Sequence, residues 1–367
     1  MKKIRLTVFI GSFTFGGGQR VVCETLRKLD RSLVDVTVIC YESRVHTALE
    51  AAVEELVKPV YLNEGGTVTL KKARRIFSAI NQSKPDVVHV HLGGMAYAVP
   101  WALIRRKPLL VTVHAKPEKA FPNKLLPFIR WGLRRGCIRI AAVSEENQRA
   151  LQDFLHVGNA RIDLVNNGID TNRFYSKAHE HFTFINVGRQ DENKNQMMIL
   201  RAFARLNASY HGLRLILAGD GPVHRQMQEQ AQALGVSEAV EFPGMVSCVE
   251  EYYAVSDVYV QSSYREALPM SILEAMAAEL PIVATDIGGL RDIVKQNGVL
   301  VPAGDEDALY HAMHNLYRMG QDERAEMGKR SGAIVEQGYS SDDMARKYLQ
   351  LYQEMSTTRQ HNSNCGK

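Results

Sequence analysis

At 367 residues the chain is too long for one ordinary core and suits two domains of about 150 residues or more. With 45% hydrophobic and 23% charged residues it is not a disordered chain, and it holds no uncharged apolar run of about 18 residues that could span a bilayer. The net charge of +5 hides an asymmetry: residues 1–175 carry 27 Lys/Arg against 15 Asp/Glu, and residues 176–367 carry 18 against 25.

Such a split predicts different partners for the two halves. The basic half suits an anionic surface: lipid headgroups, a phosphorylated acceptor or nucleic acid. The start, Met1-Lys2-Lys3-Ile4, enters a strand-like segment with no secretory apolar region or cleavage site. Cys23, Cys40, Cys137, Cys248 and Cys365 are odd in number and lack C-x-x-C spacing, so neither a disulfide framework nor a zinc site is suggested. A cytoplasmic protein is expected.

In chain order, apolar β-rich runs fall at Ile4–Ile10, Val36–Cys40, Val87–His91, Leu109–His114, Ile138–Val143 and Ile162–Val165. A second series falls at Phe182–Val187, Leu213–Ala218, Val258–Gln261 and Pro281–Thr285, with weaker candidates at Ala239–Phe242 and Val299–Val301. Helical patterns lie between them, the signature of βαβ units and parallel sheets. Two such series predict an α/β protein of two doubly wound domains facing across a cleft. The turn-rich segment from Asn166 to His181 marks the boundary. The expected domains are residues 1–172 and 173–350, the last helix being a candidate to pack back on the first. A polar tail, 357–367, is expected to be disordered.

Ligands of open α/β sheets sit beyond the carboxyl ends of the strands, and four motifs fall there. Phe15-Gly16-Gly17-Gly18-Gln19-Arg20 follows the first strand and precedes a helical stretch, Val21–Leu29, so its amides can approach a phosphate. It is not G-x-G-x-x-G, and Tyr41 rather than an acid follows the second strand, which argues against a nicotinamide dehydrogenase. Val187-Gly188-Arg189, with Lys194 five residues on, sets two cations at a strand end before the helical stretch Met197–Leu206. These can neutralise a diphosphate, or Arg189 can simply pair with Asp191 or Glu192. Ala218-Gly219-Asp220-Gly221-Pro222 is another strand-end turn. Ser262 through Ala277 is the most informative: Pro269 keeps Glu266 in a loop and sets Glu274 on the first turn of a helix over Ser271–Ala278. Two carboxylates suit the vicinal hydroxyls of a ribose and a hexose. As helix N-terminal charge, Glu274 also has a structural explanation worth about 0.3–1 kcal/mol.

Glu266-x7-Glu274 with Ala275-Met276-Ala277, Gly188-Arg189 with Lys194, and Gly219-Asp220-Gly221-Pro222 together resemble the retaining GT-B glycosyltransferases of family 4. Phe242-Pro243-Gly244 and Thr285-Asp286-Ile287-Gly288-Gly289-Leu290 match that family's order and spacing. Gly16-Gly17, Asn167-Gly168-Ile169-Asp170 and Phe174 are similar in the first half. The resemblance covers about residues 5–350.

It implies a sugar transferase with its nucleotide-sugar donor in the C-terminal domain and its acceptor in the N-terminal one. By position, Arg189 and Lys194 would hold the donor diphosphate beside Gly188 and Gly219, and Glu274 the ribose. Glu266 with the backbone of Ala267, Leu268 and Pro269 would hold the transferred sugar. Met245 and Val246 would meet the base, and the Gly16 and Gly17 amides the distal phosphate. His114 matches the family's histidine near the anomeric carbon, although a strand-end histidine can equally be structural. The implied catalytic set is His114, Glu266, Arg189 and Lys194, with no metal and no cofactor. Gln19 stands where the family has an acid, and Ala267-Leu268 where it has Gly-Phe, so the sugar and acceptor contacts stay open.

Pro122–Arg139 places Leu125, Leu126, Ile129 and Leu133 on one helical face and Lys124, Arg130, Arg134 and Arg135 with Phe128 and Trp131 on the rest. A basic face bearing aromatics suits an interfacial helix; a leucine stripe docked on a core is the plainer alternative. Lys71, Lys72, Arg74, Arg75 and Arg105-Arg106-Lys107 add charge to this half. The expectation is a hexose or N-acetylhexosamine moved from a UDP-sugar to a saccharide, preferably lipid-linked, by a cytoplasmic enzyme peripheral on an anionic membrane. Nucleic acid is not expected, since no helix-turn-helix, zinc or RNP-like pattern accompanies the charge. A sugar-nucleotide epimerase and a non-catalytic nucleotide-sugar binder remain alternatives.

Overall fold

A computed structural model describes residues 3–14, 16–158 and 162–364. The chain divides into two compact units, residues 1–168 with 341–367, and residues 169–340. Each is a parallel sheet wrapped by helices.

The first unit contains β1 (Ile4–Ile10), β2 (Val34–Cys40), β3 (Val60–Tyr61), β4 (Val87–His91), β5 (Leu109–Val113), β6 (Ile138–Ala142) and β7 (Ile162–Leu164), in the order β3-β2-β1-β4-β5-β6-β7. Every pairing is parallel, and Val8 at the centre faces Val38 on one side and His89 on the other. From Leu6 to Ile10 β1 is fully buried, as expected of a strand covered on both faces. The second unit contains β8 (Phe182–Val187), β9 (Leu213–Ala218), β10 (Val240–Glu241), β11 (Val258–Gln261), β12 (Ile282–Thr285) and β13 (Gly298–Val301), in the order β10-β9-β8-β11-β12-β13. Its core gathers Phe184, Phe203, Leu215, Val260 and Met313 around those strands.

In both sheets the chain leaves the first strand to one side and later returns on the other. The reversal falls between β1 and β4, and between β8 and β11. In sheets of this topology loops diverge at that point, which is where ligands bind. The loops after β1 and β8, and after β11, carry the glycine, cation and carboxylate motifs.

Several boundaries differ from the sequence expectation. The edge strand β3 has two half-exposed residues and no apolar run to announce it. The helix Gly17–Lys28 begins four residues before Val21, so Gly17 and Gly18 form its first turn and Gly16 is its N-cap. Phe15 lies outside the described residues. The helix Met270–Ala277 starts directly after Pro269, which places Glu274 in its second turn; no acid occupies its first. Glu274 is therefore not a helix N-terminal charge. The last helix, Ser341–Asn364, runs through the segment expected to be an unstructured tail; Cys365–Lys367 lies outside the described residues. That helix packs on β1, β4 and the helix Gly17–Lys28, burying Tyr348 and Tyr352.

In the second unit the helix Gln321–Gly338 packs on Met270–Ala277. The contact depends on Gly328: a Cβ there would lie 1.9 Å from the Glu279 carbonyl oxygen. Because that oxygen is backbone, Gly328→Ala must push the two helices apart, at about 1–3 kcal/mol for overpacking. A lowered urea midpoint is expected, and an unchanged one would contradict this packing.

Candidate active site

The loop after β8 begins at Gly188, and hydrogen bonds tie it to the end of β9 and the loop beyond. Gly188 N donates to Ala218 O (3.0 Å), Gln190 N to Asp220 O (2.9 Å) and Gln190 Nε2 to Leu217 O (3.1 Å). Gly219, at φ +131°, has no room for a side chain, since a Cβ would lie 2.0 Å from the Gly188 carbonyl oxygen. Gly219 N in turn donates to Gly244 O (2.8 Å), which anchors the turn that leaves Met245 exposed.

Lys194 is set by a turn in which its own N–H donates to Asp191 Oδ1 (3.0 Å). Ser262 Oγ then donates to Lys194 O (2.9 Å) and Asn195 O (2.8 Å), joining this loop to the one after β11. Asn193 Nδ2 to Arg265 O (3.0 Å) and Tyr264 N to Asn193 O (2.8 Å) complete the seam. The Lys194 ammonium consequently lies 2.5 Å from Glu266 Oε1, an ion pair with side-chain exposures of 21% and 15%. That oxygen lies off hydrogen-bonding direction. A Cβ on Gly188 would meet Lys194 Cε at 3.7 Å, so the side chain lies over the glycine. Arg189 leaves the same turn in another manner: its side chain is 72% exposed and 3.6 Å from Asp191 Oδ2. The two cations expected at one diphosphate thus start from different partners.

Glu266, Ala267, Leu268 and Pro269 run against the loop Asp286–Gly289. Gly289 N donates to Ala267 O (2.8 Å), and a Cβ on Gly288 (φ +56°) would lie 2.0 Å from Glu266 O. Glu274 is buried and accepts from the Tyr253 hydroxyl (3.2 Å). Burial raises the neighbouring Tyr259 phenol, with the charges of Glu266 and Glu274 adding to the shift, so both carboxylates act on one buried ring. Tyr253, Tyr259 and Ser271, whose Oγ lies 2.9 Å from the Tyr259 hydroxyl, were not among the expected site residues. A tyrosine in an apolar run carries no sign of the carboxylate it will face.

No metal–diphosphate clamp is expected from the sequence, yet the chain contains an Asp-x-Asp triplet, Asp305-Glu306-Asp307, of a type able to form one. Here its groups serve the fold. Asp305 caps Ala308 N (2.9 Å), Glu306 pairs with Arg201 (2.6 Å) and Asp307 with Arg205 (2.7 Å).

In the first unit, Gly16 caps the helix Gly17–Lys28 in extended conformation. Its first-turn amides lack helical acceptors, as at any helix start. His114 follows β5, partly exposed; a Cβ on Gly18 would lie 3.3 Å from its Cγ, so the glycine helix and this ring touch. His114 Nε2 lies 3.1 Å from His91 Nδ1. Burial lowers His114 to about 4, and holds His91 and His89 well below the ordinary histidine value. In the sequence His89 and His91 stand out only as residues of the strand Val87–His91.

Residues 169–334 match the family model described as Glycosyl transferases group 1, and residues 15–173 match Glycosyltransferase Family 4. The chain belongs to this glycosyltransferase family. EpsD of Bacillus subtilis (strain 168) is 29% identical over 319 residues, 77% of this chain and 81% of EpsD. An Escherichia coli UDP-Gal:alpha-D-GlcNAc-diphosphoundecaprenol alpha-1,3-galactosyltransferase is 23% identical over 328 residues, 81% of this chain and 84% of that enzyme. Anabaena Alr3699/HepE, solved in complex with UDP and glucose, superposes with a TM-score of 0.81 at 18% identity, over 95% of this chain and 99% of that one. The fold is of the GT-B type, and the protein is a glycosyltransferase. No described helix is long and apolar enough to cross a membrane.

Buried His89 and His91, with the half-buried His114 beside them, make the first unit acid-sensitive. Below about pH 6.5 the unfolded chain binds protons at these positions, whereas folded His114 does so only near 4. Stability is therefore full above 6.5 and falls as pH drops through that window, by up to about 1.4 kcal/mol per pH unit per histidine. The two tryptophans of the chain, Trp101 and Trp131, both lie in the first unit, so their fluorescence isolates its unfolding. Urea midpoints should fall from pH 7 to pH 5, and fall less in His91→Gln; equal slopes in both proteins would contradict this.

Proposed function

We propose that this glycosyltransferase moves a hexosyl or N-acetylhexosaminyl group, with retention, from a UDP-sugar to a lipid-linked saccharide at an anionic membrane surface. The observation that carries the donor reading is the Lys194–Glu266 pair, seated on glycine-built backbone at the switch point of the second sheet. A mobile anion arriving there meets an ammonium, the nearby Arg189 guanidinium and the start of the helix Gln196–Ser209. The E. coli relative is a UDP-Gal enzyme and the Anabaena neighbour is solved with UDP, which supports this base.

In this reading the C1–O bond to the diphosphate breaks as the acceptor hydroxyl oxygen bonds C1 from the same face. The acceptor's proton passes to the departing phosphate oxygen. Lys194 and Arg189 stabilise the charge that develops on the diphosphate, an effect of several kcal/mol when donors are fixed in place. Glu266 with Ala267, Leu268 and Pro269 orients the sugar, its carboxylate answering the positive character of the ring. Glu274 accepts from the ribose hydroxyls, and Met245 and Val246 flank the base; in the first unit His114 contacts a hydroxyl of the saccharide. The reaction written this way requires no metal ion.

UDP at about 100 times its Kd should stabilise the protein by about 2.7 kcal/mol, seen as a rise in melting temperature. Glu266→Ala should lower kcat by about 10²-fold, while Glu274→Ala should mainly raise the donor KM. No shift with any nucleoside diphosphate or nucleotide sugar would remove the proposal.

The membrane reading rests on the helix Leu126–Arg135. Ile129, Gly132 and Leu133 face the core, leaving Phe128 and Trp131 55% and 49% exposed, with the Arg135 guanidinium 5.6 Å from the Trp131 ring centre. Ile104, 70% exposed, extends from the neighbouring helix Met95–Arg105 beside Arg105 and Arg106. Aromatic and basic groups side by side suit a headgroup layer. Arg130 does not contribute, because it donates to Phe154 O and Leu155 O. In flotation assays the protein should rise with phosphatidylglycerol vesicles at low salt and less so as Phe128→Ala/Trp131→Ala. Equal recovery with neutral vesicles would count against an anionic surface.

A further inference from the structure

From His114 a line of polar side chains runs into the first unit, and the reaction described above leaves it unused. His91 Nδ1 lies 3.1 Å from His114 Nε2, and His91 Nε2 lies 3.3 Å from His89 Nδ1. His89 Nδ1 also lies 2.7 Å from the Tyr352 hydroxyl, and its Nε2 lies 2.7 Å from Thr112 Oγ1. Thr112 Oγ1 continues to the Tyr348 hydroxyl at 2.9 Å. Rings lie close along the line: His89 and His91 are 4.0 Å apart between centroids and tilted, and His91 and His114 are 5.4 Å apart and stacked. His89, His91, Thr112, Tyr348 and Tyr352 are all at least 97% buried, whereas His114 is partly exposed. Two imidazoles in the middle of a parallel sheet cost desolvation that valines would not, and the only member reaching the surface is His114.

A neutral imidazole has one donor and one acceptor, so the hydrogen position on one ring dictates that on the next. The series is set at its buried end. A phenol O–H is a strong donor, and Tyr352 has His89 Nδ1 within reach, so His89 carries its own hydrogen on Nε2 and donates it to Thr112. The His89 Nδ1 lone pair also faces His91 Nε2, which therefore bears the His91 hydrogen and leaves His91 Nδ1 bare. Opposite that lone pair, His114 must carry its hydrogen on Nε2, and its Nδ1 is left as an acceptor.

We propose that Tyr352, His89 and His91 are positioning residues that hold His114 in the Nε2–H tautomer, presenting Nδ1 as a fixed acceptor for a hydroxyl hydrogen of the saccharide substrate. The substrate part rests on the glycosyltransferase reading of His114; the tautomer part does not. The tautomer of a functional histidine is set by the bond its other nitrogen makes, and here that bond is backed by two further layers. The last helix thereby reaches the sugar site through Tyr352, 238 residues away from His114 in the chain.

The test uses the full chain labelled with ¹⁵N-histidine and long-range imidazole ¹H–¹⁵N correlation at pH 7. The His114 signals are assigned by their loss in His114→Asn. Wild type should show His114 as a single Nε2–H tautomer, and Tyr352→Phe should convert it to a mixture. In turnover of whichever nucleotide sugar the thermal screen identifies, Tyr352→Phe should lower kcat about tenfold, as loss of an orienting partner does for other histidines, with donor KM within about twofold. Should Tyr352→Phe fail to fold, His91→Gln, which removes the Nδ1 acceptor, gives the same reading. An Nδ1–H tautomer in wild type, or an unchanged His114 in folded variants, would overturn the array. A changed tautomer with unchanged kcat would overturn its part in the reaction. Absence of donor binding by wild type would instead indict the transferase reading, which the imidazole spectra do not share.

Discussion

Backbone touching backbone is the constraint on which the candidate donor site depends. At the carboxyl ends of β8, β9, β11 and β12, the loops approach so closely that Cβ atoms at Gly219, Gly221 and Gly288 would lie 2.0, 2.1 and 2.0 Å from the carbonyl oxygens of Gly188, Gln190 and Glu266. Only glycine tolerates such contact, and two of the three also have positive φ. The hydrogen bonds from Gln190 to Asp220, Gly289 to Ala267 and Gly219 to Gly244 then fix the register of the loops. Lys194 and Glu266 project from this joined surface. Their meeting is decided by the backbone beneath them more than by the rotamers of a long lysine and a glutamate.

The electrostatic consequence follows from burial. Both members of the Lys194–Glu266 pair are largely withdrawn from water, and for such pairs desolvation offsets much of the Coulomb attraction. The pair is thus a weak argument for stability and a better one for readiness. Its ammonium already sits beside Gly188, and an entering dianion competes with a single carboxylate that does not form a well-directed hydrogen bond to it. Arg189, mostly in solvent and loosely paired with Asp191, can be recruited at small cost. Glu274 differs in kind, since Tyr253 and the second helical turn hold it in place. A carboxylate so held suits recognition of a fixed diol better than participation in bond making.

What the sequence disclosed follows from where its signal is local. β1, β4, β8, β9 and β11 begin and end where their apolar runs do, because strands buried on both faces read as continuous runs. β3 escaped because an edge pair such as Val60–Tyr61 needs no run. The helix bearing Glu274 was placed one residue late: Pro269 is its N-cap, so the helix begins at Met270. The strand-end glycines, Lys194, Glu266 and Glu274 were legible as motifs, but the direct Lys194–Glu266 contact was not, since 72 positions separate the two. The histidine line is the extreme case. His-x-His reads as strand alternation, Tyr348 and Tyr352 as one stripe of a helix, and the bond between His89 and Tyr352 spans 263 positions.

Charge counting along the chain likewise says less than charge placed in space. Some of the cations in the first half are already paired: Arg5 with Asp86, Arg75 with Glu64, and Arg139 with both Asp163 and Glu354. Those pairs leave little field at a distance, because opposite charges in contact screen one another. The cations that matter for a surface are the exposed ones that stand beside exposed apolar groups, namely Arg134 and Arg135 with Phe128 and Trp131, and Arg105 and Arg106 with Ile104. Charge draws such a patch toward headgroups and fades with salt, whereas aromatic rings hold it by an area term that salt does not weaken. On the membrane reading proposed above, a surface built from both should bind in two separable steps, and the exposed rings, more than the total of +5, carry that reading.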